Sequence, residues 1–193
     1  MPMKITIEFL QGEYLHLRKD KIFLRSLTKD DINSQYLSWM NDPEITRYTA
    51  SRNRHNNYQS LLDYLGKHDN RTSFQLGIFV GDGELNIGNF SIICDLHNLI
   101  GRTNVLIGDK EWWGTGIVLQ ARALILEFLF LHMGIYKVCG TPLSKNRPAI
   151  FNYQKQGFTV EGVERDQVLL GDGSRSDVIH FAMFKKQFLA HRK

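Results

Sequence analysis

The sequence predicts a mixed α+β fold in one domain spanning residues 1–193. Three patterns predict it. Two pairs of alternating apolar runs are each joined by Gly-Asp-Gly, at residues 81–83 and 171–173, the local signature of a β-hairpin. Segments of helical period fill much of the chain before the first hairpin. Between the hairpins, short strands alternate with helices, giving a β-α-β-α-β core bracketed by antiparallel pairs.

In chain order, Tyr14 to Arg18 and Ile22 to Arg25 alternate as strands. Thr28 with Asp31 reads as a helix cap with an acidic residue three positions on, near the positive end of the dipole. That helix carries Ile32, Tyr36, Leu37, Trp39 and Met40 toward a core and stops at Asn41 and Asp42. Pro43 suits the first turn of a short helix from Glu44 to Tyr48. A polar stretch, Thr49 to Asn57, precedes a helical pattern through Leu61, Leu62 and Leu65 that Gly66 ends. Phe74 to Val80 and Leu85 to Ile93 make the first hairpin, and Asn104 to Ile107 is a short strand.

Gly116 then opens a helix with Ile117, Ala121, Leu124, Ile125 and Phe128 on one face and Gly134 as its stop. The strand Tyr136 to Gly140, the helix Ala149 to Lys155 and the strand Phe158 to Val163 follow. Val168 to Leu170 and Val178 to Phe184 form the second hairpin.

Hydrophobic residues at 42% and charged residues at 23% exclude a disordered or fibrous chain. The net charge is +4, but Lys and Arg are scattered. Their small cluster, Lys185 and Lys186 with His191 to Lys193, reads as a solvated tail. Without a basic, aromatic-interleaved stripe, no nucleic-acid partner is expected. The N-terminus lacks the apolar stretch of a secretory signal. The longest apolar run, Ala123 to Ile135, is broken by Glu127 and His132 and is too short to span a bilayer, so no membrane partner is expected. Cys94 and Cys139 make no disulfide framework, and the seven histidines show no metal-ligand spacing. The expectation is a cytoplasmic protein without a metal.

Residues 106–118, LIGDKEWWGTGIV, run from a strand through a glycine-containing loop into an amphipathic helix. Such a loop presents free N–H groups at the positive end of a helix dipole, a seat for a pyrophosphate that glycines let approach closely. Taken alone, a GxG pair is more often a plain turn. GxxxxGK[ST] is absent, and the third glycine of a dinucleotide fingerprint is missing.

Three segments in order carry a resemblance. Residues 146–158, NRPAIFNYQKQGF, have the form N-x-x-A/S-x-x-x-Y-x-x-x-G-F; residues 112–121 read WWGTGIVLQA; residues 36–48 read YLSWMNDPEITRY. Together they resemble the GNAT superfamily of acyl-CoA-dependent N-acetyltransferases, nearest the RimJ/RimL type, with its Y-W-G-K-G-Y-G/A-T-E-A loop and Y-x-x-W-x-N-D-P-E-V-x-x-Y segment. The similarity extends from about Ile22 to Phe184. It implies a twisted, mostly antiparallel sheet with splayed parallel central strands, helices on both faces, and acetyl-CoA as co-substrate.

By that resemblance, the strand from Val105 to Gly108 borders the pantetheine arm, with Leu106, Ile107 and Gly108 offering backbone groups. The amides of Gly114, Thr115, Gly116, Ile117 and Val118 take the pyrophosphate, and Asn146 hydrogen-bonds the arm. Tyr153 stands where many members keep a tyrosine near the thioester sulfur, as the acid that protonates the leaving thiolate. The plain structural alternative for Tyr153 is a core aromatic on the inner face of its helix. A backbone N–H on the Val105–Ile107 strand serves the oxyanion.

Several positions depart from the family pattern. Val118 replaces a small residue and Ile117 a tyrosine, and Arg102 stands where an acidic residue often precedes the cofactor strand. The general base therefore stays open among Asp95, His97, Glu111, His180 and a water chain. Phe128 and Phe130 read as helix core, and Cys139 as a small buried hydrophobe rather than a nucleophile.

The expected reaction is direct acetyl transfer from acetyl-CoA to a small-molecule primary amine in a ternary complex. Residues 39–44, WMNDPE, are also similar to relatives associated with surface-glycan biosynthesis, so the resemblance implies a nucleotide-linked amino sugar as the favoured acceptor, and the positive charge suits an anionic acceptor. N-terminal acetylation of a ribosomal protein and a non-catalytic acyl-CoA-binding domain are the alternatives. Tyr48, Arg52 and Arg54 are the candidate acceptor-side residues, and the resemblance is compatible with a homodimer.

Overall fold

The computed structural model describes residues 5–81 and 85–191. Of the first Gly-Asp-Gly turn, Asp82 and Gly83 lie outside the described residues, as do Arg192 and Lys193 of the basic cluster. The strands beside that turn do pair, Val80 opposite Leu85.

Nine strands form one sheet: β1 (Thr6–Leu10), β2 (Tyr14–Lys19), β3 (Ile22–Ser26), β4 (Ser73–Val80), β5 (Leu85–Asp95), β6 (Ile100–Ile107), β7 (Lys137–Gly140), β8 (Thr159–Leu169) and β9 (Arg175–Phe184). Their order is β1-β2-β3-β4-β5-β6-β7-β9-β8. Every neighbouring pair is antiparallel except β6 and β7. The helices are α1 (Ser34–Asn41), α2 (Pro43–Thr46), α3 (Tyr58–Leu65), α4 (Ile117–Glu127), α5 (Arg147–Lys155) and α6 (Lys185–His191). This is the GNAT fold, mixed α and β with a large, mostly antiparallel sheet. Among the described residues, no helix is long and apolar enough to cross a membrane.

Period-two alternation divides the core between the two faces of the sheet. Phe74, Leu76, Ile78 and Val80 of β4 join Ile22 and Leu24 of β3 in a large cluster with Ala121, Leu124, Ile125 and Phe128 of the α4 region. The intervening Phe79 and Phe23 point to the other face, against Tyr36 and Trp39 of α1 and Leu61 of α3. Phe128 and Phe130 are fully buried, as helix core should be.

Several boundaries differ from those the sequence suggests. The helix expected from Thr28 is two pieces: a 3-10 turn, Lys29–Asp31, and then α1, which Asn33 caps by accepting the Tyr36 N–H at 3.0 Å. The Thr28–Asp31 cap forms, Asp31 accepting the Thr28 N–H at 2.7 Å while also pairing two-pronged with Arg25 (2.7 and 2.8 Å), but Ile32 leaves the helical region. β6 begins at Ile100 rather than Asn104, because pairing with β5 on one side and β7 on the other makes a strand of the polar run Gly101 to Asn104.

Phe158 to Val163 and Val168 to Leu170 belong largely to one long irregular strand, β8, whose register with β9 shifts between Glu164 and Val168. α4 runs on into a wider π turn, Phe128–His132, and α5 starts at Arg147, with Pro148 in its first turn. The edge strand β1 was not foreseen.

Candidate active site

The one parallel pair is short. β6 and β7 match at Ile100 with Lys137, Gly101 with Val138 and Arg102 with Cys139, and pairing stops there. From Thr103 onward the β7-side edge of β6 is therefore unpaired, a strip of backbone open to an extended ligand.

Tyr153 of α5 fills the point of this splay. Its side chain is buried, with the ring stacked on Phe181 (5.2 Å, 10°) and edge-on to Phe158. The hydroxyl donates to the Thr103 carbonyl at 3.4 Å, a long bond readily given up to a better partner. A Cβ on Gly140, the last residue of β7, would overlap that hydroxyl, so only glycine leaves room for it there. Tyr153 is thus both the core aromatic and a hydroxyl delivered to the one gap in the sheet.

The glycine loop is held firmly at its flanks. Gly108 packs under the Trp39 ring, which a Cβ would overlap, and its N–H donates to Ile87 O at 2.9 Å, leaving that amide unavailable to a ligand. The Ile107 carbonyl accepts the Trp113 indole N–H (3.0 Å), and the Thr115 hydroxyl donates to Trp112 O (2.8 Å). Lys110 bridges Asp42 (2.9 Å) and Glu44 (2.6 Å), tying the loop to α2. Gly114 (φ +75°) and Gly116 (φ +82°) adopt left-handed backbone with open space on their Cβ side.

Gly116 is the N-cap of α4 and has no side chain to cap it. Among the described residues, the N–H groups of Ile117 and Val118 meet no protein acceptor. Ile117 is buried, and Val118 lays its side chain partly against the main core, so its bulk leaves the amide end clear. Exposed loop, paired left-handed glycines and free first-turn amides fit the phosphates of acetyl-CoA.

A cavity of about 780 Å³ opens from the splay toward the α1 and α3 side. β6 contributes Asn104, Val105 and Leu106, α5 contributes Ala149 and Tyr153, and Asn146 just before α5 joins them. Tyr48, Arg52 and Arg54 line it too. Arg52 is steadied by bonds to Leu169 O (3.2 Å) and Thr49 O (2.8 Å), whereas Arg54 is exposed. Neither Gly108 nor any residue from Gly114 to Val118 borders the cavity. Asn146 caps α5, its Oδ1 accepting the Ala149 N–H (3.2 Å), so its Nδ2 is the end left for a ligand.

None of Asp95, His97, Glu111 and His180 reaches this space. Asp95 is held by Asn98, whose side-chain and backbone N–H groups keep its carboxyl below the usual range. His180 pairs with Glu164 at 2.6 Å. Cys139 is half-buried rather than buried, and burial pushes its thiol up, the opposite of an activated nucleophile. No group of three or more His, Cys, Asp or Glu among the described residues is placed to hold a metal.

Among the lining residues the sequence reading did not single out are Gln75, Asn89, His55, Lys67 and Arg122. Gln75 and Asn89 are buried and joined, Gln75 Nε2 donating to Asn89 Oδ1 (3.1 Å) and to the Tyr36 hydroxyl (3.3 Å). Gln75 Oε1 and Asn89 Nδ2 are left without partners. Burial pushes the Tyr36 hydroxyl, which accepts from Gln75, up to about 12. Only the register of Gln75 opposite Ser91 and Asn89 opposite Gly77 puts these amides on one face.

A splayed parallel pair, a helix start with free amides and a tyrosine at the point of the splay define an acyl-CoA-using transferase. Comparison with known proteins agrees. Residues 21–159 match the model of the acetyltransferase (GNAT) domain, and the chain belongs to the GNAT acetyltransferase family.

The spermidine N(1)-acetyltransferase of Escherichia coli strain K12 is 26% identical over 172 residues, covering 88% of this chain and 89% of that one. The crystal structure of spermidine N-acetyltransferase from Vibrio cholerae, in complex with CoA and spermine, superposes with a TM-score of 0.80 at 18% identity, covering 89% and 99%. A GNAT-family acetyltransferase from Bacillus anthracis gives 0.76 at 12%, with the same coverage. The chain is an acetyl-CoA-dependent N-acetyltransferase.

Proposed function

We propose that this enzyme acetylates the amino group of an anionic, hydroxyl-bearing acceptor, a nucleotide-linked amino sugar, rather than a polyamine. The observation that carries this reading is the charge of the cavity. Arg52, Arg54, His55, Lys67 and Arg122 line it, and among the described residues no Asp or Glu does. A polycation such as the spermidine named for the E. coli relative needs carboxylates to replace its hydration, and here it would meet like charge. Phosphates would meet Arg52 and Arg54 at the mouth. The spare donor and acceptor of Asn89 and Gln75 suit sugar hydroxyls on the floor.

The chain's own residues divide the chemistry as follows. The amides of Ile117 and Val118 hold the pyrophosphate of acetyl-CoA, and the open edge of β6 and Asn146 Nδ2 align the pantetheine arm. A backbone N–H on the Val105–Ile107 stretch donates to the oxyanion as the amine nitrogen bonds to the acetyl carbon. The C–S bond breaks with its electron pair going to sulfur, and the Tyr153 hydroxyl gives that sulfur its proton. Tyr153 recovers a proton from solvent, which takes the one lost by the amine.

The same proposal includes the RimJ/RimL-type assignment, supported by the 112–121 loop. It includes a reducing cytoplasmic setting, supported by two unpaired thiols. It also includes a dimer, for which the exposed Val160, Val163 and Leu169 on edge strand β8 offer a surface.

Thiol release from acetyl-CoA tests the acceptor. Nucleotide-linked amino sugars should be turned over with the higher kcat/KM, and spermidine and N-terminal peptides poorly. A preference for spermidine would reverse the assignment.

A further inference from the structure

Arg122 of α4 is 1% exposed, the largest side chain among the described residues to be so fully buried. Its guanidinium makes one hydrogen bond, from Nη1 to the neutral Gln156 Oε1 (3.0 Å), and Nε has no partner. Among the described residues no carboxylate pairs with it, and it lies over the rings of Tyr153 (4.2 Å to the centroid), Phe90 and Phe158 (both 5.9 Å). Buried cations are ordinarily paired, and an unpaired one is strongly unfavourable. Burial alone also pulls the group toward neutrality, against a small opposing influence from Tyr153. Yet Arg122 borders the reaction cavity and stacks on the ring whose hydroxyl fills the point of the splay.

We propose that Arg122 is the counter-charge of the reaction, the fixed cation that stabilises negative charge on the CoA sulfur as the acetyl group leaves. This deepens the reading in which the thioester lies at the splay beside Tyr153. When the C–S bond breaks, its electron pair resides on sulfur until the proton arrives. A guanidinium held in a low-dielectric wall favours that charge far more than water does, and it needs no reorganisation to do so. In the resting enzyme the missing partner is the one the reaction supplies. Of the titratable groups lining the cavity, Tyr153 is the one packed on Arg122. The cavity's other cations, Arg52, Arg54 and Lys67, lie on or beside the α2–α3 segment, outside this contact.

The product complex tests this without any acceptor. Titrating CoA bound to the intact enzyme and following the ultraviolet absorbance of its thiolate should show ionisation at a pH where free CoA carries about tenfold less thiolate. Arg122→Met should abolish that difference while still binding acetyl-CoA, which has no thiol to ionise. Arg122→Lys should retain part of it. If CoA bound to the unmodified enzyme ionises as free CoA does, the proposal is overturned whether or not the variants fold. Retention of the full difference in Arg122→Met would overturn it equally. Because no amine enters the experiment, these results are independent of the acceptor's identity, and an enzyme that prefers spermidine would leave them unchanged.

Discussion

At the proposed cofactor end, residues 114–118, which do not border the cavity, present backbone: two left-handed glycines and the free amides of a helix start, with the side chains of Ile117 and Val118 packed on the core. At the other end, Tyr48, Arg52, Arg54, Gln75 and Asn89 present side chains from the segment after α2 and from two strands. Backbone recognition suits a part common to all acetyl-CoA users, since an N–H depends on conformation rather than residue type. Side-chain recognition suits the part that must differ between enzymes. Tyr153 and Arg122 stand where the two ends meet, and substitutions there and on either side should separate the contributions.

The largest effect is expected at the meeting point. Tyr153→Phe should lower kcat about a hundredfold or more while leaving acetyl-CoA affinity within about twofold, read by thiol release beside calorimetric titration. Loss of cofactor binding instead would make Tyr153 a packing residue alone. On the acceptor side, Arg52→Glu with Arg54→Glu should cut kcat/KM for an anionic acceptor by about tenfold to a hundredfold, with acetyl-CoA binding untouched. Equal losses at both ends would erase the distinction between them.

At the backbone end, Gly116→Ala should weaken CoA binding and destabilise the fold by about 1–2 kcal/mol, because its φ of +82° strains any L side chain although the space is open. Gly140→Ala has ordinary backbone but collides with the Tyr153 hydroxyl. It should cost about 1–3 kcal/mol in thermal or denaturant unfolding and lower kcat.

The smallest effect lies away from the cleft. Burial pushes the Asp69 carboxyl up, but bonds from the backbone N–H groups of Arg71, Thr72 and Ser73 and from the Thr72 hydroxyl outweigh it and hold the group well below the usual range. The stability it contributes is full above the ordinary carboxylate value of about 4 and is lost as pH falls below that. Asp69→Asn should therefore flatten the acid limb of the stability profile below about pH 4 and leave turnover at neutral pH unchanged.

Much of the fold was legible because its signals are local, and the proposed cofactor end was reached through the resemblance that three motifs in order carry. Alternation marked the hairpins, and strand, glycines and amphipathic helix stood side by side in residues 106–118. Pairing partners were not legible: the polar start of β6 is a strand only because β5 and β7 flank it, and β9 comes between β7 and β8 through contacts far along the chain.

The same reason hid the acceptor floor. Gln75 and Asn89 meet across a strand register, and nothing in either neighbourhood announces the other. Arg122 was hidden differently, since an arginine within an amphipathic helix reads as a solvated face. Tyr48, Arg52 and Arg54 were reachable through the family resemblance, which uses the Tyr48-to-Tyr58 region to wall the acceptor side. Asp95, His97, Glu111 and His180 drew notice as titratable residues, but three-dimensional placement sets them all outside the cavity.

The most direct test of this division is to saturate the enzyme with CoA and titrate in a nucleoside diphosphate or spermidine by calorimetry. One nucleotide should bind without displacing CoA, its binding should disappear in the Arg52→Glu, Arg54→Glu double variant, and spermidine should give no heat. Displacement of CoA by the nucleotide, or binding of spermidine to the CoA-loaded enzyme, would contradict an acceptor end built for anions and separate from the cofactor end.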